Sequence, residues 1–71
     1  MTKEEAVNIL VEDRNGMEEV SVEQYQAAKQ TLNGHHLEWV NFSIDPAAEG
    51  VWVLYVDGNY LYHSALDRLN Q

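Results

Sequence analysis

Hydrophobic positions near the start of the chain recur at the spacing of a helix. The apolar residues that share one arc, at about 100° per residue, are Ala6, Val7, Leu10 and Val11, with Ile9 alone outside it. Thr2 followed by Glu5 fits a capping box, in which side chains satisfy the first free amides. Asn15-Gly16 fits a helix end, because glycine readily takes the left-handed conformation there. The pattern predicts a first helix between these two signals.

The same stretch has a second interpretation as a β-hairpin. Three of its residues are β-branched and alternate along the chain, namely Val7, Ile9 and Val11. Asn15-Gly16 is also a common two-residue hairpin turn. Such a turn would place Asp13 opposite Glu18 and oppose the neighbouring acids in the same way, and directly opposed like charges are unfavourable. The helix is therefore favoured, and the hairpin stays as the alternative.

A second amphipathic stretch follows a short link at residues 17–20. Ser21 and Gln24 form another capping box, and Glu23 lies in the first turn, where the helix dipole favours an anion. The apolar stripe consists of Val22, Tyr25, Ala28 and Leu32. Asn33-Gly34 ends it, so a second helix is predicted between Ser21 and Asn33.

From His36 onward the hydrophobic period changes to two. The first predicted strand alternates apolar residues with Asn41 and Ser43, and those apolar residues are Val40, Phe42 and Ile44. A loop begins at Asp45-Pro46, because proline lacks an amide N–H and disfavours helix before it. Residues 51–56 form a second strand, residues 57–59 a tight turn, and Tyr60 to about Ala65 a third strand.

These elements predict one small α+β domain over residues 1–71. Two N-terminal helices pack on one face of a three-stranded antiparallel sheet in the order ααβββ, because amphipathic elements bury their apolar faces in layers. The alternative, ββαβββ, places an N-terminal hairpin before one helix and three strands.

Strand alternation assigns the two faces of the sheet. The turn is either Asp57-Gly58, with Tyr55 opposite Tyr60, or Gly58-Asn59, with Tyr55 opposite Tyr62, and both registers sort the side chains identically. The face predicted to lie under the helices consists of Val40, Phe42, Ile44, Trp52, Leu54 and Val56. The opposite face is predicted to be open and aromatic, and its members include Trp39, Asn41, Ser43, Val53, Tyr55, Tyr60 and Tyr62.

Charge narrows the range of partners. The chain has 71 residues, with 12 acids against 4 Lys and Arg, and a formal net charge of −8. Seven of those 12 acids lie within the first 23 residues. Such a charge repels nucleic-acid phosphates and anionic lipid surfaces. We expect no direct binding to nucleic acid or membrane, and a protein partner that is basic.

No motif predicts catalysis, a metal or a cofactor. The chain has no cysteine, which excludes thiolate chemistry and disulfides. His35 and His36 are adjacent, so on a strand they point to opposite faces and do not share one ion. The four glycines are isolated rather than grouped in a phosphate loop. The charged start lacks the apolar stretch of a secretory signal, and a cytoplasmic, non-enzymatic protein is expected.

Two functional hypotheses follow from these patterns. The first is a protein-interaction module that binds a protein partner or a second copy of itself through aromatic residues of the open face: Trp39, Tyr55, Tyr60 and Tyr62. The alternative is an acidic inhibitor, a partial nucleic-acid mimic that occupies the basic groove of a nucleic-acid-binding protein. Its contact residues are Glu12, Asp13, Glu18, Glu19 and Glu23.

Overall fold

The computed structural model describes residues 1–43 and 50–60. Two helices, α1 (Lys3–Asn15) and α2 (Val22–Thr31), precede the antiparallel strands β1 (Leu37–Phe42) and β2 (Val51–Val56). A two-residue segment, β3 (Asn59–Tyr60), pairs with the end of β2. The chain is therefore α+β, and the alternative with an N-terminal hairpin is wrong, because those residues form α1. The predicted third strand beyond Tyr60 lies outside the described residues.

Local signals determine where α1 and α2 begin and end. Thr2 accepts a hydrogen bond from the backbone N–H of Glu5 at 3.1 Å, and Ser21 and Gln24 form a complete capping box. Gly16 ends α1 with a φ of 64°, and its N–H donates to a carbonyl of the last turn. These bonds satisfy groups that a helix leaves without partners at its two ends.

The core lies between the two helices and one face of β2. Helix α1 packs against both α2 and β2. The buried residues of this cluster are Ala6, Val7, Leu10, Val11, Ala28, Leu32, Leu54 and Val56. Leu54 and Val56 belong to the face of β2 that was predicted to lie under the helices, so that prediction is confirmed.

Strand β1, however, faces the opposite way from the prediction. Trp39 lies opposite Leu54 in the ladder, and directly opposed residues share a face of the sheet. Trp39 and Leu37 are therefore on the helix side, and Val40 and Phe42 are on the other side. The predicted place of Trp39 beside the tyrosines is wrong. Large apolar residues occupy both faces of β1, so the alternation alone does not say which face is inside, and a one-residue difference in register exchanges them.

The face of the sheet turned away from α1 is only partly exposed. Val53 is fully buried there, with a relative exposure of 0%, and Val40 and Tyr55 are half-buried. Phe42 is 40% exposed. The prediction of an open face is therefore wrong at Val53.

A tight turn joins β2 to β3. Asp57 and Gly58 both have positive φ, at 53° and 79°, as a type I′ hairpin turn requires, and glycine takes this conformation without a steric penalty. Tyr55 pairs with Tyr60 and Val56 with Asn59. Of the two registers left open by the sequence, the structure has the one with Asp57-Gly58 in the turn.

The Asp57 carboxylate ties this turn to the start of β1. One oxygen lies 2.6 Å from His35 Nδ1, and the other accepts the backbone N–H of His36 at 2.9 Å. The hydrogen bond with His35 is the largest cause of a lowered pKa at Asp57, which lies below its ordinary value of 3.8. The bond from the His36 N–H lowers the pKa further. Both contacts favour the ionised carboxylate.

We predict that Asp57→Asn makes folding stability less sensitive to acid. A carboxyl whose pKa is lowered in the folded state contributes stability above its unfolded pKa, and that stability is lost as pH falls through the folded pKa. The free energy of unfolding of the wild type should therefore fall relative to that of Asp57→Asn below about pH 4. Asparagine suits the turn conformation. Urea titrations of both proteins at several pH values measure the difference.

Asp13→Asn is the matched control, because it removes one negative charge from an exposed site that contacts neither histidine. This variant should lose stability in acid as the wild type does. Identical pH profiles for the wild type and Asp57→Asn would contradict the role given to the Asp57 contacts.

Candidate interaction surface

The four aromatic residues predicted to form one contact face do not all lie together. Trp39 is half-buried on the helix side of the sheet and packs against the core. Tyr55 is half-buried on the other side, where β3 places Tyr60 opposite it. Tyr62 lies outside the described residues. A contact surface that includes Trp39 must therefore be sought on the helix side.

Arg14 lies between two tryptophans on that side. Its guanidinium carbon is 4.6 Å from the ring centre of Trp39 and 4.3 Å from that of Trp52. The rings come from neighbouring strands, and Arg14 reaches them from the last turn of α1. Each cation–π contact contributes about 0.5–1 kcal/mol at a partly exposed site. The contacts of Arg14 with the two tryptophans therefore hold the end of α1 against the sheet.

Asn15, the next residue, bonds to the backbone of β2. Its side-chain oxygen accepts the N–H of Trp52 at 2.8 Å. Its side-chain N–H₂ donates to the C=O of Trp52 at 2.9 Å and to the C=O of Val11 at 2.8 Å. One amide thus occupies the place that a neighbouring strand would take beside Trp52.

The sequence contains a signal for both residues that the prediction missed. Arg14 follows Leu10 by four positions and Asn15 follows Val11 by four, so both continue the buried face of α1. Polar residues on an apolar stripe are expected to have partners inside the fold. The prediction treated Asn15 only as part of a helix-ending or hairpin-turn signal.

A groove opens between α2 and β1, above the end of α1. Its volume is about 350 Å³, and we call it the α2–β1 groove. Its lining residues are Leu10, Asp13, Arg14, Tyr25, Lys29, Leu37 and Trp39. Tyr25 is 36% exposed and Leu37 38%. Both apolar walls therefore remain accessible to a ligand, and Trp39 forms part of the groove.

A second cavity of about 410 Å³ adjoins the first. Both are lined by Asp13, Tyr25 and Lys29, and the second also includes Val22, which is 71% exposed. The apolar surface therefore continues from β1 across α2 to its first turn.

The acids predicted as a contact surface lie at this same end of α2. Glu12 and Asp13 are in the last turns of α1, Glu18 and Glu19 are in the connection between the helices, and Glu23 is in the first turn of α2. We call these five residues the acidic cluster. Glu12 is half-buried and the other four are exposed. Asp13 belongs to both the acidic cluster and the groove, so the two surfaces are continuous.

The described part of the chain contains no group of three or more His, Cys, Asp or Glu side chains placed to hold a metal ion. Within residues 1–43 and 50–60, no helix is both long and apolar enough to cross a membrane. The surface described above combines the apolar walls of the α2–β1 groove, the cations Arg14 and Lys29, and the acidic cluster. Apolar walls bordered by charges can contact both apolar and charged groups of a ligand.

Comparison with known proteins returned no matching family model, curated protein or solved structure.

Proposed function

We propose that this chain is a small, non-enzymatic protein-interaction module that binds a protein partner through the α2–β1 groove. The observation that carries the proposal is the continuous apolar surface formed by Leu37, Tyr25 and Val22, whose exposures are 38%, 36% and 71%. Exposed apolar residues that line a concavity and are bordered by charges are typical of binding sites. Tyrosine and tryptophan also contribute strongly to binding energy at protein interfaces.

The charge of the chain supports a basic partner. Its net charge is −8, and the acidic cluster borders the groove. A positive partner would be attracted over long range and would associate faster at low salt. Two copies of the chain would repel each other, so a second copy fits the groove less well than a basic protein does.

We propose a second contact with the partner at Tyr55, Tyr60 and Tyr62. The same proposal includes a third strand that continues beyond Tyr60. The strong β preference of tyrosine and the alternation of Tyr60 and Tyr62 support this arrangement. A cytoplasmic location belongs to the same proposal, because the chain has no cysteine and therefore makes no use of an oxidising compartment for disulfides.

We predict that Leu37→Ala and Tyr25→Ala each weaken partner binding about tenfold, which corresponds to about 1.4 kcal/mol. The partner is captured from the organism that makes this protein, identified by mass spectrometry and titrated by calorimetry against each variant. Phe42→Ala is the matched control, because Phe42 is 40% exposed on the same strand but on the opposite face. It should bind as the wild type does. A partner sensitive to Phe42→Ala but to neither groove variant would contradict the groove and favour the tyrosine face.

The second candidate function is the partial nucleic-acid mimic, which the grouping of the acidic cluster at one end of the helices supports. In that case a triple variant that carries Asp13→Asn, Glu18→Gln and Glu19→Gln would bind the partner much more weakly than the wild type does. The Leu37→Ala variant would bind it as the wild type does. The affinity would also fall steeply with added salt, since exposed charges are screened beyond about 10 Å at 0.1 M. An affinity that does not change with salt would exclude the mimic.

A further inference from the structure

The outer edge of β1 directs main-chain hydrogen-bonding groups away from the sheet. Asp57 N–H donates to the C=O of His36 at 2.8 Å, directly before β1 begins. Bonded and non-bonded pairs alternate along an antiparallel ladder, so the N–H and C=O groups of Leu37, Trp39 and Asn41 point away from β2. In the described part of the chain, β1 pairs with β2 alone.

The partner of Trp52 supports this assignment independently. Trp52 lies opposite Asn41, and its N–H and C=O both bond to the Asn15 side chain. These backbone groups therefore point to the side of β2 away from β1, as expected for a pair that does not exchange hydrogen bonds. The groups of Asn41 must accordingly point to the outer edge.

We infer that β1 accepts an extended segment of a basic protein as an added antiparallel strand. The inference rests on the proposed function and specifies how the partner is held. Unpaired groups at a strand edge are matched by the backbone of another strand, and many domains bind peptides in this way. Antiparallel pairing is also slightly more stable per residue than parallel pairing.

The groove determines which side chains the added strand carries. Peptide residues directly opposite Leu37 and Trp39 share their face of the sheet and reach the α2–β1 groove. Arg14 and Lys29 line that groove, so apolar residues fit there better than basic ones. The intervening peptide residues share the face of Glu38, which is exposed and suits Lys or Arg. The segment that fits alternates apolar and basic residues.

A second copy of β1 does not have this pattern. Its sequence, Leu-Glu-Trp-Val-Asn-Phe, has an acid and no basic residue. Each copy also has a net charge of −8, and like charges across an interface oppose association. The edge therefore fits a segment of a basic partner better than it fits another copy of this chain.

The test uses a synthetic peptide of four Val-Lys repeats with both ends capped, titrated against the wild type by calorimetry. We expect the peptide to bind, and Glu in place of Lys to weaken binding by at least about tenfold. Methylating the four valine amides removes the N–H groups that face β1 and should weaken binding by at least about tenfold. Methylating the lysine amides removes N–H groups that face away, so the affinity should stay within about threefold.

Amide hydrogen exchange measured by NMR gives the second readout. The bound peptide should slow exchange at Leu37, Trp39 and Asn41 by at least about tenfold. Glu38 and Val40, which already bond to β2, are internal controls. An absence of peptide binding, equal losses from the two methylations, or unprotected amides at the three outward residues would overturn the inference.

Failure of strand addition is distinguishable from failure of the proposed function. If the outward amides stay unprotected while Leu37→Ala and Tyr25→Ala still weaken partner binding, the groove binds its partner without strand addition. Sedimentation of the wild type tests the other occupant. A dimer that Leu37→Pro disperses and Leu37→Ala preserves would place a second copy on the edge and overturn the assignment to a basic partner, because only proline removes the outward N–H.

Discussion

Replacing Leu54 with alanine is expected to remove about 2–5 kcal/mol of folding stability, the usual cost of a large-to-small change in a core. Leu54 is fully buried, and it belongs to the cluster that joins β2 to both helices. A protein of this length has a total stability of roughly 4–11 kcal/mol, so this one change removes a large part of it. Urea unfolding, monitored by circular dichroism, measures the loss. The slope of the free energy of unfolding against urea concentration should be the same for the variant and the wild type.

Leu37→Ala provides a control with identical chemistry at an exposed position. Leu37 is 38% exposed and lies at the start of the edge strand β1, so its truncation leaves no closed cavity. We expect a loss below about 1 kcal/mol. Equal losses for the two leucines would contradict the placement of the core. A small loss at Leu37 also means that reduced partner binding by this variant reports on the groove rather than on unfolding.

The helices and the second strand could be predicted from sequence because their determinants are local. Thr2, Ser21 and Gly16 act on backbone groups within a few residues of themselves, and a capping pattern therefore predicts a helix end without knowledge of the rest of the fold. The two-residue turn at Asp57-Gly58 is local in the same sense. Two registers fit its sequence, however, and only the structure distinguishes them.

The orientation of β1 could not be predicted in this way. Its residues alternate, but Trp39 on one face and Phe42 on the other are both large and apolar, so the pattern has no polar side. The orientation is set by partners distant in sequence: Arg14 stacks on Trp39 and Trp52, and Trp39 packs against the core. The groove was missed for the same reason, because it exists only once the fold brings residues of α1, α2 and β1 together.

Asn15→Leu is expected to cost about 2 kcal/mol, the second large effect in this protein. Leucine has a similar size and favours helix, but it leaves the N–H and C=O of Trp52 without the bonds that Asn15 supplies. A buried polar group left unsatisfied costs about 1–3 kcal/mol, and partial burial at this site moderates the total. Urea unfolding of the variant and the wild type measures the difference. A variant as stable as the wild type would show that the Asn15 amide does not hold α1 to β2.

Asn15→Asp isolates the donor half of the same contact through its pH dependence. The new carboxylate still accepts the N–H of Trp52, but its second oxygen faces the C=O groups of Trp52 and Val11 in place of the donor. Those carbonyls and the C-terminal end of the helix dipole disfavour a negative charge, so the pKa of the introduced carboxyl is raised by folding. A raised folded pKa means that protonation favours the folded state. The deficit of Asn15→Asp relative to the wild type should therefore shrink as pH falls from 7 to about 4, because the protonated carboxyl again donates to a carbonyl. A deficit that stays constant over this range would mean that the Asn15 side chain acts at the helix end without donating to the strand.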